Sequence, residues 1–226
     1  MLENKPSAIL FDLDGTIADS APDLAATLNH LLMNAGRQPI EYALVRNMVG
    51  EGAKALLIKG FTHNGETPSE KLVDDLFKEY LDYYMAHICV ETVLFPGVLN
   101  MLDSLKSMDI PLAICTNKLA SLTNSLLDDL YIDHYFSAVA CGDSFDFKKP
   151  DPRHLYATCE LLGAEPSTAI MVGDSINDVA AGKNANMKTI GVTFGYTEIP
   201  MSELGADITI EHFDELLPAL IGYSSV

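Results

Sequence analysis

The sequence predicts an α/β fold in which a doubly wound parallel sheet is interrupted after its first strand by an α-helical insertion. Short apolar runs recur at 7–11, 111–115, 138–141, 169–172, 188–192 and 207–210, the pattern of parallel strands buried on both faces. Helical patterns separate most of the runs beyond residue 96, and strand-helix alternation of this kind builds a parallel sheet with crossover helices. Between Ala21 and Glu91 only helical periodicity is found, which predicts a separate small helical unit.

The elements follow in order. Ser7 to Phe11 stops abruptly at Asp12, and Asp12-Leu13-Asp14-Gly15-Thr16 continues as a loop. From Ser20, Leu24, Leu28, Leu31 and Leu32 recur at helical spacing, with Pro22 near the start and Gly36 past the end, which predicts an amphipathic helix. A helix over about Ala53 to Lys59 follows Gly50-Glu51-Gly52, and a longer one from about Ser69 to His87 carries Leu72, Leu76, Phe77, Tyr80, Leu81 and Tyr84. Tyr80, Tyr83 and Tyr84 read mainly as packing residues, with the alternative that one of them faces the substrate. After Phe95-Pro96-Gly97 the alternating pattern begins, so the expected division is a core of 1–20 plus 96–226 and a helical unit of 21–95. An insertion after the first strand sits above the carboxyl ends of the strands, where open α/β sheets bind ligands, and is placed to act as a lid.

Composition excludes several classes of partner. Asp and Glu number 32 against 14 Lys and Arg, a formal charge of -18, which repels nucleic acid and anionic membrane surfaces. The same field opposes an anionic small molecule, so a phosphate site here requires a bound cation and a placed lysine. Met1 to Ser7 lacks the regions of a signal peptide, and no apolar stretch approaches the roughly 20 residues that span a bilayer; a cytoplasmic protein is expected. The four cysteines, Cys89, Cys115, Cys141 and Cys159, have neither metal-site nor redox spacing and are expected as buried reduced thiols. The six histidines form no metal spacing and are expected on the surface or on helices.

Four segments carry chemistry, each with a plainer alternative. Alternation sends the Asp12 and Asp14 carboxylates to one side while Leu13 points into the core. One acid can then attack phosphorus while its neighbour, held partly protonated by burial and repulsion, serves the leaving oxygen; the plainer alternative is an acidic turn. Thr116 and the Asn117 amide, at the end of the 111–115 run, could hold phosphoryl oxygens, or merely cap a helix. Lys149, fixed between Lys148 and Pro150, suits screening of Asp12 and a phosphoryl group, or is half of a solvated lysine pair. Asp174, in Gly173-Asp174-Ser175-Ile176-Asn177-Asp178, would hold Mg²⁺ with Asp12 and the Asp14 carbonyl. Asp178, and Ser175 beside it, would stand just behind the metal ligands, or Asp178 would only compensate a helix dipole.

Taken in order, DxDGT, then T-N, then K-P, then G-D-S-x-x-D resemble the four signature motifs of the haloacid dehalogenase superfamily. The resemblance implies a core strand order of 5-4-1-2-3, an aspartyl-phosphate on Asp12 and an inserted helical cap between the first two motifs. Asp19 to Pro22, Gly50 to Ala53, Phe95-Pro96-Gly97, Lys149-Pro150-Asp151-Pro152 and Gly195-Tyr196 are similar to phosphoglycolate phosphatases. That likeness implies a small phosphorylated metabolite as substrate, with 2-phosphoglycolate hydrolysed to glycolate and phosphate. Pyrophosphate hydrolysis and β-phosphoglucomutase-like action on sugar phosphates are the alternatives, and a phospho-accepting switch is a remoter one. In the insertion, Arg46 and the Gly50-Glu51-Gly52 loop, with the helix N-terminus at Ala53, are expected to meet the anionic end of such a substrate; the plainer alternative is a helix-to-helix turn with an exposed arginine.

Overall fold

The computed structural model describes residues 5–197 and 199–223, so the first four residues of the stretch inspected for a leader, Met1 to Ser7, lie outside the described ones. Strand β1 (Ile9–Phe11) is followed by a short strand β2 (Ala18–Asp19) and then by four helices, α1 (Ala21–Asn34), α2 (Tyr42–Arg46), α3 (Ala53–His63) and α4 (Glu70–Ala86). The chain returns through β3 (Val93–Leu94) and then alternates as α5 (Val98–Ser107), β4 (Leu112–Cys115), α6 (Ala120–Asp129), β5 (Ala138–Ala140), α7 (Arg153–Leu162), β6 (Ile170–Gly173), α8 (Ile176–Asn184) and β7 (Lys188–Val192). It ends in α9 (Met201–Leu204), β8 (Ile208–Ile210) and α10 (Leu216–Tyr223).

Six strands form one sheet in the order β5-β4-β1-β6-β7-β8, parallel throughout. This is the expected order of five with one further strand, β8, added outside β7. Both faces of the sheet are buried, and the alternation of β1 states how. Ile9 and Phe11 enter the large cluster that also holds Leu102, Leu105 and Leu126, whereas Leu10 enters a second cluster with Leu155, Cys159 and Met171. A strand with apolar residues on successive positions is stable only between two helical layers, which accounts for the unbroken apolar runs.

The inserted helices join the core through a two-stranded antiparallel ribbon in which Ala18 faces Leu94 and Asp19 faces Val93. Asp23, buried in the first turn of α1, ties down the returning chain: its carboxylate accepts from the amides of Val90 (3.0 Å), Glu91 (3.0 Å) and Thr92 (2.9 Å) and from the Thr92 hydroxyl (2.7 Å). Ser69 caps α4 by accepting from the Leu72 amide. Helix α3 runs past the expected stop at Lys59 to His63. Gly60 does not end it, because the glycine is where α3 meets α1; a Cβ there would stand 2.7 Å from both Leu28 methyls.

Three cysteines, Cys115, Cys141 and Cys159, are buried, Cys89 is only partly so, and all four thiols are free. His154 is wholly buried within α7, where burial first and Lys149 second push its pKa down to about 4 and leave the ring neutral. Among the described residues no helix is long and apolar enough to cross a membrane.

Candidate active site

The sheet order decides which loops meet. Because β1 lies between β4 and β6, the residues following these three strands share one end of the sheet. Asp12 follows β1, Thr116 and Asn117 follow β4, and Asp174 follows β6; the Asp12 amide still bonds the Val172 carbonyl at 2.9 Å. The loop after β1 lies directly on Asp174. Gly15 has φ +89°, and a Cβ there would fall 2.4 Å from Asp174 Oδ2, so only glycine meets both the backbone angle and the space.

Asp12, Asp174 and Asp178 are all buried and each offers a carboxylate oxygen within 4.8 Å of the others. Asp178, expected just behind the metal ligands, therefore belongs to the same cluster. Its oxygens are nonetheless engaged by Lys149 Nζ at 2.6 Å and by the Ser175 amide and hydroxyl at 2.9 and 2.7 Å. Thus Asp178 and Ser175 form a reciprocal cap on α8, and the same carboxylate aims Lys149. Two hydrogen bonds orient Asp174, one from Thr16 Oγ1 at 2.9 Å and one from the Tyr196 amide at 2.7 Å.

Lys149 Nζ lies 3.0 Å from Asp12 Oδ1. The ammonium is shared between Asp12 and Asp178 at 2.6 Å, and Asp12 Oδ1 has no other hydrogen-bond partner among the described residues. Three carboxylates facing one ammonium in a dry space cannot all be ionised cheaply. Burial, with Asp178 and Asp12 adding to it, pushes Asp174 up to about 8. Burial likewise raises Asp12 to about 6, although Lys149 pulls the other way. Burial alone would strip Lys149 of its proton, but Asp12 and Asp178 outweigh it and hold the ammonium above its usual range. The donor set is all hard oxygen and sets three buried carboxylates against one ammonium, which fits a divalent cation.

Asp14 departs from expectation. Its carboxylate faces an ammonium instead of being held by repulsion from Asp12: Lys118 Nζ sits 2.9 and 3.1 Å from its two oxygens, and Ser20 donates to it as well. Lys118 also donates to the Tyr84 hydroxyl of α4 at 2.8 Å. Lys118 and the parts played by Thr16 and Tyr196 lie outside the sequence expectations, whereas Tyr84, with Tyr80, meets the alternative that a tyrosine of this helix turns to the site. The available signal for Lys118 was its position, one residue beyond Thr116-Asn117 at a strand end.

Asp12, Asp14, Thr116, Asn117, Gly50 and Gly52 all line one cavity under the inserted helices. The space open to the centres of water molecules is about 40 Å³. Thr116 Oγ1 accepts from the Lys118 amide at 3.2 Å, which leaves its own proton to donate. Asn117 Nδ2 bonds the carbonyls of Lys149 (3.0 Å) and Gly50 (3.3 Å), joining the core loop to the insertion. Two expected substrate contacts are elsewhere. The Arg46 guanidinium donates to the carbonyls of Phe194 (2.8 Å) and Gly195 and lies over the Tyr196 ring, so its charge is committed to holding α2 against the core. The Glu51 side chain pairs with Lys59 at 2.6 Å near the surface, and only its carbonyl turns to the core, accepting from Lys148 at 2.9 Å.

Residues 9–192 match a family model described as haloacid dehalogenase-like hydrolase. Over 211 residues the chain is 43% identical to a phosphoglycolate phosphatase of Agrobacterium fabrum, covering 93% of this chain and 91% of that protein. It is 41% identical to a phosphoglycolate phosphatase of Caulobacter vibrioides over 95% of this chain and 91% of that one. The crystal structure of a predicted phosphoglycolate phosphatase from Haemophilus somnus matches with a TM-score of 0.90 at 30% identity, over 96% of this chain and 99% of that one. With the fold, the acidic cluster and these likenesses in agreement, the chain belongs to the haloacid dehalogenase-like hydrolases and, within them, to the phosphoglycolate-phosphatase-like family.

Proposed function

We propose that this protein hydrolyses 2-phosphoglycolate to glycolate and phosphate, with Mg²⁺ and through a phosphoaspartate on Asp12. The observation that carries the proposal is the cluster at the strand ends, where Asp12, Asp174 and Asp178 lie within 4.8 Å of one another and Lys149 stands 3.0 Å from Asp12. An Asp12 oxygen attacks phosphorus, the bond from phosphorus to the ester oxygen breaks, and Asp14, carrying the proton it gains from water in the hydrolytic step of the preceding turnover, hands that proton to the departing oxygen. Asp14 then takes a proton from water as that water attacks the phosphoaspartate, which releases phosphate and restores Asp12. Lys149, the Thr116 hydroxyl and the Asn117 amide hold the transferring oxygens, whose charge grows in the transition state. Asp12, Asp174 and the Asp14 carbonyl, with Asp178 and Ser175 behind them, would hold Mg²⁺, which would supply positive charge against the phosphoryl oxygens.

The helical unit, residues 21–95 set on a core of 1–20 plus 96–226, acts as the lid. The cavity beneath it leaves about 40 Å³, roughly three water centres, so the insertion has to lift to admit any phosphoester substrate. In a screen with Mg²⁺ of 2-phosphoglycolate, pyrophosphate, glucose 1-phosphate and glucose 6-phosphate, 2-phosphoglycolate is expected to have the highest kcat/KM. Faster release of phosphate from pyrophosphate, or isomerisation of a glucose phosphate without net phosphate release, would replace the proposal with the corresponding alternative.

With pKa values near 8 for Asp174 and 6 for Asp12, against an ordinary 3.8, the metal-free folded chain binds more protons than the unfolded chain across that interval. The contribution of Asp174 and Asp12 to its stability therefore declines as pH rises from about 4 to about 8, opposed only in part, below about pH 6.5, by His154, whose pKa burial lowers to about 4. Mg²⁺ competes with the same protons, so it is expected to raise Tm more at pH 8 than at pH 5. At a hundredfold excess over Kd the gain at pH 8 is about 2.7 kcal/mol, or roughly 5–10 °C. Thermal melts with EDTA and with Mg²⁺ at both pH values check this; an equal shift at the two would remove the carboxylates from the cation site.

A further inference from the structure

We propose that Lys118, assisted by the Tyr84 hydroxyl, is the receptor for a carboxylate on the leaving group, and so determines specificity for acidic phosphoesters. The inference rests on the phosphatase proposed above and assigns the end of the substrate that Lys149 does not reach. Lys118 is the one cation among the described residues that line the cavity. Beyond Asp12 and Asp14 the wall is largely apolar, with Leu24, Leu56, Tyr80 and Leu122. A carboxylate entering that space finds a single cationic partner, Lys118, beside the Asp12 and Asp14 carboxylates.

The ammonium is buried and held in place from two directions. Asp14 fixes it at 2.9 Å from the core side and the Tyr84 oxygen at 2.8 Å from the insertion, and the Tyr84 ring lies beneath it at 4.6 Å. In the bond between them Lys118 is the donor, so the phenolic proton stays available for an incoming anion. Burial keeps that phenol protonated, its pKa raised well above the usual range. A charged receptor already oriented in a dry site binds an anion without reorganising.

Position agrees with the chemistry. Asp14 is the group assigned to the leaving oxygen, and Lys118 is its immediate neighbour. The carboxylate of glycolate stands one methylene carbon from that oxygen and would compete with Asp14 for the ammonium. Binding of the acid end would thereby release Asp14 toward the ester oxygen. Because Tyr84 belongs to α4, the same contact would also join substrate recognition to closure of the insertion over it.

The test compares 2-phosphoglycolate with 2-hydroxyethyl phosphate, which keeps the primary ester and replaces the carboxylate by a neutral alcohol. The wild type is expected to favour the acid, and Lys118→Met to reduce the ratio of the two kcat/KM values roughly 100-fold. Tyr84→Phe, which retains the buried ring, is expected to reduce it roughly 10-fold. If Lys118 acts only through Asp14, the variant slows both substrates equally and the ratio is unchanged, which overturns the assignment. Should Lys118→Met fail to fold, the Tyr84→Phe ratio decides by the same criterion. Preference of the wild type for another carboxylate-bearing phosphoester overturns 2-phosphoglycolate alone, and the ratio is then read on that ester and its neutral analogue. Indifference of the wild type to the carboxylate overturns the receptor.

Discussion

Asp12→Asn is expected to lower kcat by on the order of 10⁴-fold or more while leaving the fold intact. The amide keeps the shape of the carboxylate and its backbone bond to Val172 (2.9 Å), but it offers no anionic oxygen to attack phosphorus. It also removes one of three carboxylates crowded within 4.8 Å. Since burial raises the Asp12 pKa to about 6 against the attraction of Lys149, an ionised Asp12 is a net cost to the metal-free fold above that pH. The variant should accordingly melt at or above the wild-type temperature at pH 8 in EDTA. A dead enzyme with an undiminished Tm would place the defect in chemistry. Sustained Mg²⁺-dependent turnover, with deamidation excluded by mass spectrometry, would require another nucleophile.

The second large effect is expected from Lys149→Met, which should damage stability and rate together. Lys149 is buried between Asp12 at 3.0 Å and Asp178 at 2.6 Å. Its removal leaves carboxylates without the cation that makes their burial tolerable, a loss of about 3–5 kcal/mol, or roughly 6–20 °C in Tm for a chain of this size. Without the ammonium on the phosphoryl oxygens, kcat should fall by about 10²–10³. Mg²⁺ should restore part of the Tm, because it supplies positive charge to the same cluster, and little of the rate. Lys149→Arg should not substitute, since a wide planar guanidinium cannot occupy a buried point position between two carboxylates. Calorimetry with and without Mg²⁺, alongside steady-state assays, separates the two losses; full activity in Lys149→Met would remove it from the site.

The position of Lys149 was legible in the sequence because proline follows it and a helix start comes next, and both are local signals. Its partner Asp178 was legible as one of two roles, and the structure gives it both at once. Legibility failed where a long side chain chooses between distant partners. Arg46, expected toward the substrate, reaches the carbonyls of Phe194 and Gly195 in the loop after β7 and lies over the Tyr196 ring. Lys118 carried no periodic or punctuation signal, and Tyr84 was absorbed into the apolar face of its helix.

The sequence by itself determined the parallel sheet, the helical insertion and the acidic or polar residues that end the strands. Burial of a strand on both faces demands an unbroken apolar run, and the first charge after it marks where the run leaves the core. Tertiary structure alone decided which charges face one another. Thr16 meets Asp174 across 158 positions and Lys118 meets Asp14 across 104. Such pairings follow from strand order and from the dry space in which each carboxylate must find a partner, and neither is written in the neighbourhood of a single residue.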